Sequence, residues 1–152
     1  MATDHESDKE TDSESPWTLH RRIPSDTATG SALVHEMIEA MARRNWSSQD
    51  LFRVQLAYEE AIVNAIRHGN RHDCKKMVEV KMSCDHQRVE IQITDQGCGF
   101  DPGKIPDPRS DELLEVPGGR GVLLMSEIMS EISYNQVGNQ VTMVKRKEKT
   151  SG

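Results

Sequence analysis

The stretch VEVKMSCDHQRVEIQI, residues 78–93, decides the fold. Apolar and polar residues alternate on both sides of its central Asp85-His86-Gln87, and a period of two is typical of a strand with one buried face. Because only three polar residues separate the two runs, the stretch predicts two antiparallel strands joined by a tight turn. Such a hairpin favours an antiparallel sheet over repeated strand-helix-strand crossovers.

A short strand and a first helix are predicted upstream of this hairpin. Residues 17–24 alternate and end at a proline, as an edge strand does. Apolar residues then recur at spacings of one, three and four over residues 33–41, which predicts a helix that extends to about Asn45. Ser25 and Asp26 are its candidate N-caps, because their side chains can accept hydrogen bonds from backbone N–H groups.

A second helix is predicted from near Ser48 to His68. Asp50 lies in its first turn, where a carboxylate interacts favourably with the helix dipole. Gly69 follows the last residue, and we expect it to adopt the left-handed conformation that commonly ends a helix.

The C-terminal half begins with an irregular segment. Residues 97–121 hold six of the ten glycines and four of the six prolines, so we expect a functional lid or a disordered insertion there. A third helix over residues 121–132 and two strands, over residues 132–136 and 140–146, complete the pattern. Helices and hairpins grouped in this way predict an α+β fold, a two-layer sandwich of one mostly antiparallel sheet and one helical layer.

The composition indicates a single domain with a charged tail. The chain has 152 residues, of which 35% are hydrophobic and 29% charged. Residues 1–16 carry six acidic residues against one basic residue, so we expect a disordered acidic tail, a domain over residues 17–147 and a frayed C-terminus over residues 148–152. The chain from residue 17 onward has 19 acidic and 18 basic residues, which argues against direct nucleic-acid binding.

Membrane and metal classes are also disfavoured. The apolar runs are far shorter than the roughly 20 residues that cross a bilayer, and three cysteines without a signal sequence indicate a cytoplasmic protein. A zinc site would need His72, Cys74, Cys84 and His86. A strand over residues 76–84 would separate the two cysteines by about 33 Å, so these four side chains cannot meet.

The second helix carries the most informative polar residues. Glu60, Asn64 and His68 are four residues apart and therefore share a helix face. Asn64 has apolar neighbours in the sequence, so its amide needs hydrogen-bond partners. Such an asparagine either bonds to a neighbouring loop or binds a ligand, and the spacing leaves both interpretations open.

Another polar residue points inward from the end of the hairpin. The alternation of Val89, Ile91 and Ile93 places Asp95 on the same buried face. Glycines follow at positions 97 and 99, where the backbone can approach a ligand closely. The segment is either a plain strand-ending turn or part of a site for a planar ligand with polar edges.

A glycine cluster, GGRG at residues 118–121, precedes the third helix. Backbone N–H groups and the helix dipole favour a phosphate at such a position. Rival phosphate motifs fail, because a P-loop ending at Gly103-Lys104 would need glycine at position 98 and Ser or Thr at position 105. No strand-linked Gly-x-Gly-x-x-Gly of a Rossmann site occurs either.

In this order, the three features resemble the N, G1 and G2 boxes of the GHKL ATPases, a superfamily that includes gyrase, a heat-shock chaperone, histidine kinases and a mismatch-repair ATPase. The short format, residues 60–70 and the sequence GGRGVLLM, residues 118–125, are most similar to the anti-sigma regulatory factors that act as serine/threonine protein kinases. The resemblance covers about residues 17–147 and implies a Bergerat-type, histidine kinase-like ATPase fold. Residues 101–115 match no pattern of that family.

The resemblance also implies a role for each matching residue. Glu60 would be the general base, and Asn64 would bind a Mg²⁺ ion that bridges the phosphates of ATP. Asp95 would accept a hydrogen bond from the adenine amino group, and Gly97 and Gly99 would shape the pocket beneath the ring. The other implied ATP-binding residues are Arg67, His68, Gly119, Arg120 and Gly121.

The activity implied by the resemblance is that of an ATP-dependent kinase. It would phosphorylate a Ser or Thr of an antagonist protein and sequester a sigma factor when the antagonist is unavailable. A nucleotide-sensing module that binds partner proteins without transferring phosphate needs the same pocket and stays open. The catalytic half of a sensor histidine kinase is disfavoured, because residues 1–16 cannot supply the dimerising helices. The sequence leaves the oligomeric state open, a homodimer included.

Overall fold

The computed structural model describes residues 15–73, 75–97 and 119–147, with the backbone alone for residues 119–123. Within these residues, antiparallel strands form one five-stranded sheet in the order β1-β2-β3-β5-β4. The strands are β1 (Trp17–Pro24), β2 (Met77–Cys84), β3 (Arg88–Thr94), β4 (Glu131–Tyr134) and β5 (Gln140–Arg146). β1 lies at one edge, which confirms the prediction for residues 17–24.

One face of the sheet is apolar. In β2 and β3 every second residue is buried, as the alternation predicts. Val80 lies opposite Ile93, and Met82 lies opposite Ile91. Burial of an aliphatic side chain of this size contributes about 1.5–3 kcal/mol, and a slip of one residue would turn the whole set toward solvent. The register of the central hairpin is therefore strongly specified.

Helices cover this apolar face. They are α1 (Thr27–Arg43), α2 (Ser48–Val63) and α3 (Gly119–Ile128), with α1 packed on α2 and α2 packed on α3. The Asp26 side chain accepts a hydrogen bond from the Thr29 N–H at 3.0 Å, which confirms one of the two predicted caps. Gly30 lets α1 approach α2, because a Cβ at this position would be 2.7 Å from Cγ1 of Ile62. The predicted two-layer α+β sandwich is confirmed.

The end of the second helix differs from the prediction. α2 is regular only to Val63, and the chain continues as a π-helix over Asn64–Gly69. Gly69 is part of this π-helix and has no positive φ, so its predicted left-handed conformation was wrong. Positive φ angles occur two and three residues later, at Arg71 (51°) and His72 (57°), after the end of the π-helix.

The third helix lies earlier in the chain than predicted. It begins at Gly119 and ends at Ile128, whereas the periodicity predicts residues 121–132. The ammonium of Lys145 donates a hydrogen bond to the carbonyl oxygen of Ile128 at 3.0 Å. The Ser130 N–H donates to the carbonyl oxygen of Val144 at 2.7 Å, so the chain joins the sheet directly after the helix.

The last described residue, Lys147, is hydrogen-bonded to the turn between β2 and β3 and to the turn between α1 and α2. Its N–H donates a hydrogen bond to the carbonyl oxygen of Gln87 at 2.8 Å, and its ammonium donates to that of Arg44 at 3.2 Å. The same ammonium lies 4.9 Å from the centroid of the Trp46 ring, a favourable cation–π distance. The Arg44 guanidinium in turn donates to the carbonyl oxygen of Ser15 at 3.3 Å.

Several predictions concern residues outside the described ranges. These are the acidic tail up to residue 14, the irregular segment over residues 98–118, which contains Gly99, and the C-terminus from residue 148. In the part of the chain that the structure describes, no helix has both the length and the apolar surface to cross a bilayer. No group of three or more His, Cys, Asp or Glu residues could hold a metal ion there, and Cys74 lies outside that part.

Candidate functional site

Two of the predicted site residues lie where α2 becomes a π-helix. Glu60 is in the last turn of α2, and Asn64 is the first residue of the π-helix. Both side chains are half-buried, and neither makes a hydrogen bond with any described residue. The neighbouring loop that would bond to Asn64 in the simpler interpretation is therefore not found among the described residues.

Arg67 and His68 lie further along the π-helix. Both are exposed, whereas Glu60 and Asn64 are half-buried, so His68 does not share their environment. His68 is thus more exposed to solvent than the two residues with which it is predicted to share a helix face.

Asp95 directly follows β3, and its carboxylate touches the end of the π-helix. A Cβ built on Gly69 would overlap Oδ2 of Asp95, and a Cβ built on Gly97 would overlap the carbonyl oxygen of Gly69. The inward direction predicted for Asp95 is confirmed by this contact. Glycine is required at both positions because backbone and carboxylate approach each other too closely for any side chain.

The Asp95 carboxylate is half-buried. Its Oδ1 accepts a hydrogen bond from the Gly97 N–H at 2.8 Å, and no other described residue donates to it. Burial raises the pKa of Asp95 above its ordinary value, although the Gly97 bond and the positive charge of Lys76 act in the opposite direction. A partly dehydrated acceptor of this kind interacts favourably with an N–H donor of a ligand.

Asn70 is a residue of this region that the sequence did not reveal. Its side chain is 1% exposed. Its Nδ2 donates to Ser25 Oγ at 2.9 Å and to the Met77 carbonyl oxygen at 3.0 Å, and its Oδ1 accepts from the Gln96 N–H at 2.7 Å. The sequence signal was only a small polar residue after a glycine, which is typical of an ordinary turn.

The turn between β4 and β5 holds Asp95 from the other side. The Asp95 N–H donates to the carbonyl oxygen of Asn139 at 2.9 Å, and Asn139 Nδ2 donates to the carbonyl oxygen of Asp95 at 3.2 Å. Within this turn, Asn135 Oδ1 accepts from the N–H groups of Gly138 and Asn139 at 2.7 and 3.1 Å. Gly138 has a φ of 82°, a conformation that favours glycine. The backbone of Asp95 is therefore fixed by a neighbouring strand pair.

The remaining predicted residues are less closely connected to Asp95. Glu60 lies nine residues before Gly69, which is about 13 Å along a helix axis. Gly119, Arg120 and Gly121 form the first turn of α3, so the predicted position of this cluster before the helix was wrong. α3 packs against α2, the helix that carries Glu60.

The sequence over residues 23–145 matches the model of the histidine kinase-like ATPase domain. The chain belongs to this family. The match includes every residue predicted for the site, and it confirms both the family resemblance and the fold class.

Three named relatives of this histidine kinase-like ATPase domain are protein kinases. The chain is 27% identical over 121 residues to the serine/threonine-protein kinase BtrW of Bordetella bronchiseptica, covering 78% of this chain and 84% of that protein. It is 29% identical over 136 residues to the serine-protein kinase RsbW of Bacillus velezensis, covering 84% of each. It is 30% identical over 110 residues to RsbW of Bacillus licheniformis, covering 67% of each.

Proposed function

We propose that this protein binds ATP and Mg²⁺, transfers the γ-phosphoryl group to a Ser or Thr of an antagonist protein, and sequesters a sigma factor when that antagonist is unavailable. The observation that carries the proposal is the contact of the Asp95 carboxylate with Gly69, at the end of the helix that bears Glu60 and Asn64. The protein-kinase names of the relatives support the same activity.

In this proposal Asp95 recognises the adenine base. Its carboxylate accepts a hydrogen bond from the 6-amino group, which is a donor in adenine, whereas guanine has a carbonyl oxygen at that position. The half-buried position strengthens this bond because water competes less for the acceptor. Gly97 and Gly99 would shape the pocket beneath the ring, and the Gly97 N–H keeps one carboxylate oxygen in place.

The phosphates then extend along the helix toward Asn64 and Glu60. The separation of about 13 Å between Glu60 and Gly69 is comparable with the length of an extended nucleoside triphosphate. Arg67, His68, Gly119, Arg120 and Gly121 belong to the same proposed ATP-binding set. Positive side chains and backbone N–H groups at a helix start are suited to phosphate oxygens.

Asn64 fits a magnesium ligand. The residue is half-buried, its neutral amide oxygen accepts no hydrogen bond from any described residue, and Mg²⁺ binds oxygen donors while keeping several waters. When bound, Mg²⁺ neutralises charge on the phosphates. Asn64 would orient that ion at the N-terminal end of the π-helix.

Glu60 acts as the general base in the proposed reaction. Its carboxylate takes the proton of the acceptor hydroxyl while the hydroxyl oxygen forms a bond to the γ-phosphorus. The bond from that phosphorus to the β–γ bridging oxygen breaks, and ADP leaves with the electron pair. Because little else is covalent, positioning of the two oxygens supplies most of the rate enhancement.

The test is phosphoryl transfer from labelled ATP to the candidate antagonist protein. Glu60→Gln should lower the transfer rate by about 100-fold or more while the ATP Kd changes by less than about threefold. Glu59→Gln is the matched control, because Glu59 is a half-buried carboxylate on the same helix and should leave transfer nearly unchanged. Label transfer that survives in Glu60→Gln removes Glu60 from the mechanism. A tighter complex without labelled partner would favour a non-catalytic binding module.

A further inference from the structure

The Asn70 side chain links the π-helix to the segment that carries Asp95. Its three hydrogen bonds are made to groups on three other segments of the chain: Ser25 before α1, Met77 at the start of β2, and Gln96 after β3. A buried amide with each of its bonds satisfied has little freedom to rotate. Asn70 therefore fixes three chain segments relative to one another.

The π-helix determines where Asn70 lies. The Asn70 N–H donates to the carbonyl oxygen of Ala65 at 2.8 Å, an i→i+5 bond. In a regular α-helix this donor would pair with residue 66 instead, and the side chain would leave the axis in another direction. The widened turn thus sets the position from which the Asn70 side chain bonds to Ser25, Met77 and Gln96.

The bond to Gln96 is the one that bears on Asp95. Gln96 is held twice, since its N–H donates to Asn70 Oδ1 at 2.7 Å and its Oε1 accepts from the Met77 N–H at 2.7 Å. The next N–H along the chain, that of Gly97, donates to the Asp95 carboxylate. Gln96 lies between Asp95, which carries the carboxylate, and Gly97, whose N–H binds it. Fixing the Gln96 backbone therefore also fixes the direction of the Asp95 carboxylate.

We infer that Asn70 is a positioning residue that sets the orientation of Asp95 and thereby the preference of the site for adenine over guanine. The inference rests on the proposed function, in which Asp95 reads the 6-position of the purine. A site whose acceptor binds a hydrogen-bond donor of the ligand discriminates against a ligand without that donor. It does so only while the protein holds the acceptor in place. Without Asn70, Asn139 still binds the Asp95 backbone, but the Gln96 N–H loses its acceptor, so the Gly97 N–H and the carboxylate that it binds can shift. The carboxylate then accepts hydrogen bonds from water as readily as from adenine.

The experiment measures the Kd values for ATP and GTP in the presence of Mg²⁺ and compares their ratio between variants. Asn70→Ala and Asn70→Ser both remove the acceptor of the Gln96 N–H, and serine keeps a polar group in the buried position so that at least one variant folds. We expect the ratio of the GTP Kd to the ATP Kd to fall by about tenfold in both.

Ser25→Ala is the matched control. It removes the Ser25 bonds to Asn70 Nδ2 and to the Lys76 carbonyl oxygen, but leaves the Asn70 bond to Gln96 intact. We expect it to lower stability and to keep the ratio within about threefold of the wild-type value. A purely structural role of Asn70 predicts that both changes act alike.

Each outcome of this experiment supports or overturns the inferred role of Asn70. A ratio that stays within threefold in the Asn70 variants, or that falls equally in Ser25→Ala, overturns the inference. Asp95→Asn separates this failure from failure of the proposed function. If Asp95→Asn loses the preference for ATP while the Asn70 variants keep it, only the role of Asn70 is wrong. If Asp95→Asn keeps the preference, the proposed base recognition and the inference both fall.

Discussion

The Asp95 carboxylate occupies the space that a side chain at position 69 would fill. This contact joins the C-terminal end of the π-helix to the C-terminal end of β3, two elements that are 26 residues apart along the chain when counted from Gly69 to Asp95. Glycine at position 69 is thus a consequence of close packing against the Asp95 carboxylate.

The first prediction concerns this contact. Gly69→Ala places a methyl group on the Asp95 carboxylate, so the carboxylate must move or the helix must shift. Overpacking of this kind costs about 1–3 kcal/mol of the free energy of unfolding, and we expect the ATP Kd to rise by about tenfold or more. Urea unfolding and calorimetry with ATP measure the two effects.

Gly30→Ala is the control for this change, because its Cβ would be 2.7 Å from Cγ1 of Ile62 at the α1–α2 contact. It should lower stability to a similar extent and leave the ATP Kd within about threefold of the wild-type value. An unchanged ATP Kd in Gly69→Ala would show that the Asp95 carboxylate can move without weakening ATP binding.

The second prediction concerns the pH dependence of stability. Because burial raises the pKa of Asp95 above its ordinary value, the folded state prefers the protonated form. The stability that this preference contributes is complete below the unfolded pKa and is lost as the pH rises through the folded pKa. Asp95→Asn keeps a neutral side chain at every pH.

The free energy of unfolding of Asp95→Asn minus that of the wild type should therefore increase as the pH is raised from 4, and then reach a plateau. Urea unfolding of both proteins at a series of pH values gives this difference, in which the titration of all shared groups cancels. A difference that is flat or decreases over the same pH range contradicts the assigned environment of Asp95.

The third prediction concerns the metal. We expect Mg²⁺ to lower the ATP Kd of the wild type. In Asn64→Ala the ratio of the ATP Kd without Mg²⁺ to that with Mg²⁺ should be about tenfold smaller, because the amide oxygen no longer holds the ion. Binding of ATP without Mg²⁺ should change by less than about threefold. Gln55→Ala, on the same helix, is the control, because the Gln55 amide bonds only to Glu59 among the described residues. An equal Mg²⁺ effect in wild type and Asn64→Ala would exclude Asn64 as the ligand.

The fourth prediction concerns Cys84, which is buried at the end of β2. Burial raises the pKa of the Cys84 thiol to about 11. At pH 8 only about one thiol in a thousand is then ionised, and the reactive thiolate is also shielded from reagents. In a variant with Cys74→Ser and Cys98→Ser, iodoacetamide should not modify the native protein but should modify one thiol per chain in concentrated urea. Rapid native labelling at position 84 would contradict this burial.

The sequence predicted the features that depend on local periodicity. β5 has its predicted limits, and β2, β3 and α1 lie close to theirs, because alternation and helical spacing report directly on which face is buried. The inward direction of Asp95 followed from the same alternation. The roles of Glu60, Asn64 and the other predicted site residues stay predictions.

The features that the sequence did not predict depend on contacts between distant elements. The π-helix, in which Gly69 has no left-handed conformation, ends where Asp95 approaches from another segment, and no local pattern encodes that approach. Asn70 was missed because its three partners lie on three other segments. The early end of α3 reflects the Lys145 bond to Ile128, another contact across the fold.

The contacts of Arg44 have a practical consequence for engineering. Its guanidinium binds the backbone of Ser15 and its carbonyl oxygen binds Lys147, so the chain enters and leaves the described domain beside the same residue. Both ends lie on the side of the Gln87 turn, while Asp95 directly follows the opposite end of β3, about 27 Å from Gln87 along an extended strand. A linker of a few residues would join these ends, and circular permutants could then open the chain elsewhere while the edge that carries Asp95 keeps its architecture.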